Sequence, residues 1–203
     1  MKGSLLPVVA LLASTTLGLY GCGSDDKQSL AKSKTAPVAA SDQTKSLSVF
    51  LSLHQQYCES DMNSRDALIA ALEADQRFKP AAGFVGVFET KVDGISYAVS
   101  PEIDGCTTDV MVKNEKTGKL LFSYADMNKA LTGKGYQVVG NETRRKDVGS
   151  DRKEVTILEK TFISPKGETT NLDYPADRPS KYYMTLFAKK FAKPSKAAVS
   201  MKN

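Results

Sequence analysis

The spacing of apolar residues changes several times along the chain. Residues 5–19 are mostly apolar and carry no charge, and residues 23–45 are polar with neither a helical nor a strand period. Val49, Phe50, Leu53 and Tyr57 then recur at helical spacing, which predicts a first helix over 47–57. A second helix is predicted over 64–75, with Asn63 as N-cap and Asp66 in the first turn, where a carboxylate suits the helix dipole. Ala67, Leu68, Ala71 and Leu72 form its apolar face, and Pro80 lies just past its end.

The middle of the chain alternates with period two. Residues 84–90 predict a strand, Asp93-Gly94 a hairpin turn, and Ile95, Tyr97 and Val99 the inward face of the return strand that Pro101 ends. Residues 106–113 predict a third strand with Cys106, Thr108, Val110 and Val112 on one face. A short helix from Ser123 or Tyr124 to Leu131 stops at Gly133 and Gly135. A brief strand at 136–139, a polar loop at 141–152, a long strand at 153–163, a turn at 164–167 and a last strand at 181–187 follow. The order α-α-β-β-β-α-β-β-β predicts an α+β domain: an antiparallel sheet with two to three helices packed on one face.

The N-terminal apolar stretch is shorter than the roughly 20 residues a membrane span needs. It follows Met1-Lys2 and leads into Leu19-Tyr20-Gly21-Cys22, which resembles the lipobox of bacterial lipoproteins, although Tyr20 replaces the small residue usual there. The resemblance implies that residues 1–21 are a signal peptide and that Cys22 receives a diacylglycerol thioether and further acyl chains such as palmitate. Several buried chains anchor far better than one, at about 0.8 kcal/mol per CH₂. Residues 22–45 would then be a flexible tether with a span of roughly 25–30 Å. Gly23, where an Asp would favour inner-membrane retention, implies an outer-membrane lipoprotein with its body in the periplasm.

Beyond the tether, length predicts one globular domain, residues 46–188, and a basic tail, 189–203. Cys58 and Cys106 are the two remaining cysteines. In an oxidising compartment they read most simply as a disulfide. Neither belongs to a C-x-x-C unit and no ligand cluster accompanies them, so neither metal nor cofactor is expected.

His54 is the only histidine, and its place beside Gln55 and Gln56 predicts a helix-flank residue rather than a catalytic one. Glu59, Asp61, Asp66, Glu102, Asp104 and Asp109 lie in or beside the stretch between the cysteines, and a pair of them at the right separation would suit glycoside chemistry. Seven basic residues and no acid follow Asp177. Of these, Arg178, Lys181, Lys189, Lys190, Lys193 and Lys196, with Arg144, Arg145 and Lys146 in the predicted polar loop, are candidate contacts to an anionic surface such as lipid headgroups. The compartment argues against nucleic acid, and lysines also protect sheet edges from pairing. Residues 47–135 resemble small uncharacterised exported domains of proteobacteria, a likeness that brings no activity with it.

These features predict a non-enzymatic envelope lipoprotein, a binding or accessory module toward an envelope protein, a glycan or an anionic lipid. The alternatives are a cell-wall or envelope hydrolase working through carboxylates, and a hydrolase inhibitor using loop 141–152. Replacing Cys22 with Ser should move the protein from the membrane to the soluble fraction with the disulfide intact. Membrane retention of that variant in a fractionation experiment would assign a second anchor to the basic tail.

Overall fold

The computed structural model describes residues 38–114, 117–118, 120–149, 152–177 and 182–191, with side chains from residue 44 onward. The expected signal peptide, Cys22, and the candidate contacts Arg178, Lys181, Lys193 and Lys196 lie outside the described residues. The elements run α1 (Val38–Leu53), a π-helical turn (His54–Cys58), α2 (Arg65–Ala74), β1 (Lys79–Pro80), β2 (Phe88–Val92), β3 (Ile95–Pro101), β4 (Gly105–Met111), α3 (Tyr124–Gly133), β5 (Gln137–Val148), β6 (Glu154–Ile163), β7 (Thr169–Pro175) and β8 (Tyr183–Lys189).

All eight strands join one antiparallel sheet in the order β1-β2-β3-β4-β8-β7-β6-β5, so the class is α+β. The chain builds each half of the sheet as a meander, and the pairing of β4 with β8 closes the halves together. Pairing Val92 with Ile95 leaves Asp93 and Gly94 as the two-residue turn, at φ 51° and 80°. Both angles are positive, which is why Asp-Gly serves here. Gly105 opens β4 under a different constraint. A Cβ there would lie 2.2 Å from the Ala188 carbonyl oxygen and 2.7 Å from the Phe187 ring, so only glycine allows β8 this close.

Successive strand residues point to opposite faces. Tyr97, Val99, Cys106, Thr108, Val110, Leu172, Met184 and Leu186 are buried, and the hydrophobic ones share a cluster with Phe50, Leu51 and Leu53 of α1, Leu68 and Leu72 of α2, and Met127 and Leu131 of α3. Ser64, not the expected Asn63, caps α2, its hydroxyl accepting from the Ala67 amide. Ala67 is exposed, so the buried face of α2 narrows to Leu68 and Leu72. Ser123 and Asp126 form a reciprocal capping box on α3.

Six elements depart from the sequence expectation: β1 had no counterpart there, and β2 begins at Phe88, residues 84–87 of the expected strand being turn and coil. α1 begins at Val38, inside the stretch expected as tether. The segment read as loop 141–152 is strand as far as Val148, part of a twelve-residue β5 that bulges between Val139 and Thr143. β7 was not expected at all, because Asn171, Asp173 and Pro175 mask the alternation of Thr170, Leu172 and Tyr174. β8 reaches Lys189 and Phe191 is buried, so the globular unit extends past 188. No helix among the described residues is long and apolar enough to cross a membrane.

Cys58, the last residue of the π-helical turn, is disulfide-bonded to Cys106 of β4, with Cα atoms 5.1 Å apart. The loop it closes spans 48 positions, for which the chain-entropy contribution is about 4 kcal/mol. Replacing both cysteines with Ala should lower the unfolding free energy by about 3–4 kcal/mol, read from urea midpoints of variant and oxidised wild type. An unchanged midpoint would contradict the stapling role.

Candidate functional site

Two clusters of residues with perturbed chemistry lie on opposite faces of β4. The first is built by the π-helical turn. The Glu59 amide donates to the His54 carbonyl over 3.1 Å, closing the wide turn, and His54, Tyr57 and Cys58 are all carried inward. His54 is therefore fully buried, not the helix-flank residue that its neighbours Gln55 and Gln56 suggested. Its Nδ1 lies 3.1 Å from the Thr108 hydroxyl, and its Nε2 faces Glu59 Oε1 at 3.6 Å without a hydrogen bond. A neutral ring protonated at Nε2 fits both contacts, with Thr108 donating to Nδ1 and the N–H directed at the carboxylate. Burial pulls the His54 pKa down to about 3.

Glu59 is also buried. Its Oε1 accepts from the Tyr136 hydroxyl at 2.6 Å and the Thr170 hydroxyl at 3.3 Å. Burial pushes its pKa up, and those two hydrogen bonds oppose the shift. The disulfide borders the cluster, with Cys58 Sγ 3.4 Å from Thr108 Oγ1. At the rim, Lys190 donates to Ser60 and Lys166 to Asp61. This cluster is a buried polar core around a neutral histidine, hydrogen-bonded at Nδ1 and at the Glu59 carboxylate while Nε2 is left without a hydrogen bond.

The second place is a groove of about 370 Å³ lined by Phe84, Val87, Glu89, Ala98, Ser100, Asp109, Tyr182, Tyr183 and Thr185. Thr108 points at His54, so Asp109, the next residue, points to the other side of the sheet and into the groove. Asp109 accepts from Thr107 at 3.2 Å and from Thr185. Burial raises its pKa to about 6 against these two hydrogen bonds, with Glu102 and Asp173 adding repulsion. Phe84 is 67% exposed and Tyr183 50%, a large aromatic surface to leave in water. An adjoining hollow of about 270 Å³ shares Glu89 and Tyr183 and adds Lys91 and Lys113.

The sheet register explains the floor of this groove. Lys79, Glu89, Ala98, Asp109, Thr185, Asp173, Glu159 and Thr143 stand opposite one another across successive strands, forming one row over the whole sheet. Four of them are carboxylates on a single face. Arg145 serves one end of the row: its guanidinium meets Asp173 at 2.7 Å, Glu159 at 2.7 Å and Asp147 at 2.5 Å. Tyr182 and Arg145 hold the Asp147 carboxyl down at about 2.

This arrangement redistributes the residues singled out from sequence. Arg145 is engaged in its carboxylate cluster, while Arg144 pairs with Glu142 at 3.6 Å and Lys146 with Glu154 at 2.8 Å on exposed edge strand β5. Lys189 is exposed at the end of β8. Of the six carboxylates, Glu59 and Asp109 both have raised pKa values but lie on opposite faces of the sheet, Asp104 is half-buried, and Asp61, Asp66 and Glu102 are exposed. Glu89, Asp173, Glu159, Tyr182 and Tyr183 were missed, because only long-range register brings them into line. No group of three or more His, Cys, Asp or Glu among the described residues is arranged to hold a metal ion. Comparison with protein-family models, curated proteins and solved structures returned no match.

His54 carries a pH signature. Its folded pKa of about 3 lies below the ordinary histidine value of 6.5, so the unfolded chain takes up the extra proton. The stability of the neutral form is complete above about 6.5 and is lost as pH falls toward about 3. Glu59, with its raised pKa, works the other way and does so in any His54 variant. His54→Gln should therefore lose less stability than wild type between about pH 7 and pH 4 by urea denaturation. Parallel losses in the two proteins would contradict a buried neutral histidine.

Proposed function

We propose that this chain is an envelope lipoprotein held through Cys22, a glycan-binding accessory module with the Asp109 groove as its binding surface. This reading takes the helices to cover the face of the sheet that carries Thr108, leaving the face that carries Asp109 toward the periplasm. The observation that carries it is the composition of the groove: exposed aromatic surface from Phe84 and Tyr183 beside the hydroxyls of Ser100 and Thr185 and the carboxylates of Glu89 and Asp109. Aromatic faces stack on the C–H faces of sugar rings, while hydroxyls and carboxylates take sugar hydroxyls as hydrogen-bond partners. A pocket with convergent polar groups on an apolar wall is the usual form of a small-ligand site.

The groove lies on a face of the sheet, over β2, β3, β4 and β8, rather than along a strand edge. An extended peptide binding by strand addition needs such an edge, which favours a glycan over a peptide. The anionic-lipid alternative draws less support, since Arg144, Arg145 and Lys146 already face carboxylates. The inhibitor alternative loses its motivating loop to β5.

One observation favours a second reading, a hydrolase. Asp109, with a pKa raised to about 6, suits a general acid, and Glu89 shares its groove. Two strand spacings put their backbones about 9.5 Å apart, at the upper end of the roughly 6.5–9.5 Å carboxyl separation of inverting glycosidases.

One experiment separates the readings. Purified domain is incubated with cell-wall glycan strands, and both retention and new reducing ends are measured. The binding reading predicts retention without new reducing ends, and a loss of at least about tenfold in affinity for Tyr183→Ala. New reducing ends that vanish in Asp109→Asn would establish the hydrolase, and retention unaffected by Tyr183→Ala would remove the groove from either role.

A further inference from the structure

The cross-strand row beneath the groove is electrostatically uneven. Asp109 stands two strands from Glu89 on one side and two strands from Asp173 on the other. Like charges lined up across a sheet repel. At the Asp173 end the protein supplies its own cation: Arg145 bridges Asp173, Glu159 and Asp147. At the far end Lys79 stands opposite Glu89 on β1. Between them, among the described residues, no lysine or arginine lines the groove, and the carboxyls that line it are Glu89 and Asp109. Lys91 and Lys113 belong to the adjoining hollow.

We infer that the groove takes a sugar bearing a free amine, a hexosamine whose nitrogen is an ammonium, seated against Asp109 in the position that Arg145 fills for Asp173. This inference rests on the glycan reading and names the substrate class of that site. A charge-assisted hydrogen bond from ammonium to carboxylate is about twice as strong as a neutral one. The Tyr183 and Phe84 rings supply the aromatic faces that attract both a cation and the sugar ring. An acetylated nitrogen keeps the sugar shape but removes the charge, so it would leave the Asp109 carboxylate without its counter-ion.

Seating a cation also changes the proton balance. In the free protein Asp109 holds its proton up to about pH 6, because burial and the facing acids Glu102 and Asp173 disfavour its charge. The neighbours on the strands beside it, Ala98 and Thr185, carry no charge. An ammonium against Asp109 favours the ionised form, so binding releases a proton below about pH 6, and affinity weakens as pH falls from 6 to 5.

The test compares tetramers of glucosamine and of N-acetylglucosamine by calorimetry at about pH 6.5 and low salt, on the lipid-free Cys22→Ser protein and its Asp109→Asn derivative. The expected result is at least about tenfold tighter binding of the glucosamine tetramer, with that preference erased in Asp109→Asn while the acetylated tetramer binds as before. Equal or tighter binding of the acetylated tetramer overturns this inference alone, and so does a preference that survives Asp109→Asn. Binding of neither tetramer overturns the glycan reading and this inference with it. The near-isosteric Glu89→Gln variant, which should weaken glucosamine binding less than Asp109→Asn does, checks that the preference centres on Asp109 rather than on net charge.

Discussion

The bond between Cys58 and Cys106 fixes the parity of β4, and the two chemically distinct faces of the sheet follow from it. Cys106 must meet the π-helical turn, so Cys106, Thr108 and Val110 face the hydrophobic cluster. Thr107, Asp109 and Met111 are thereby committed to the other side. A slip of one residue would carry Asp109 into that cluster and Val110 into the groove, and the disulfide forbids it. Because β4 pairs with both β3 and β8, its parity passes to the strands on either side and sets the row from Lys79 to Thr143.

The two polar clusters are treated differently. On the core side, His54 is kept neutral and the Glu59 oxygen that faces it accepts two hydroxyl donors, so burial is compensated by hydrogen bonds. On the other side, carboxylates accumulate in line. Arg145 neutralises the half of the row over β6 and β7, while Asp109 is left to be accommodated by a raised pKa and two threonine hydroxyls. A carboxyl so placed costs stability above its pKa. Sites that give up stability in this way tend to be those that a ligand completes.

Local signals were legible in the sequence. The Asp-Gly turn, the alternation that begins at Cys106 and the apolar stripe around Phe50 and Leu53 each depend on near neighbours, and each stands in the structure; the disulfide, though long-range, followed from there being two cysteines past Cys22. Features fixed at long range were not. β5 is an edge strand exposed on nearly every residue, so it has no apolar alternation to read, and its Arg144 and Lys146 look like loop residues while they shield the edge. The π-helical turn changes the phase of the helix face at His54, so a strict 3.6 period misplaces that residue. The row that gathers Glu89, Asp109, Asp173 and Glu159 exists only once seven strand pairs are in register.

On the proposed reading, Asp109 is a carboxyl that a bound cation completes. Carbon-13 NMR of its side-chain carboxyl, titrated with pH in the free protein and with saturating glucosamine tetramer, tests it directly. The expected midpoint is near 6 in the free protein and moves clearly downward when the tetramer is bound. A midpoint at the ordinary aspartate value of about 3.9, unmoved by the tetramer, would contradict it.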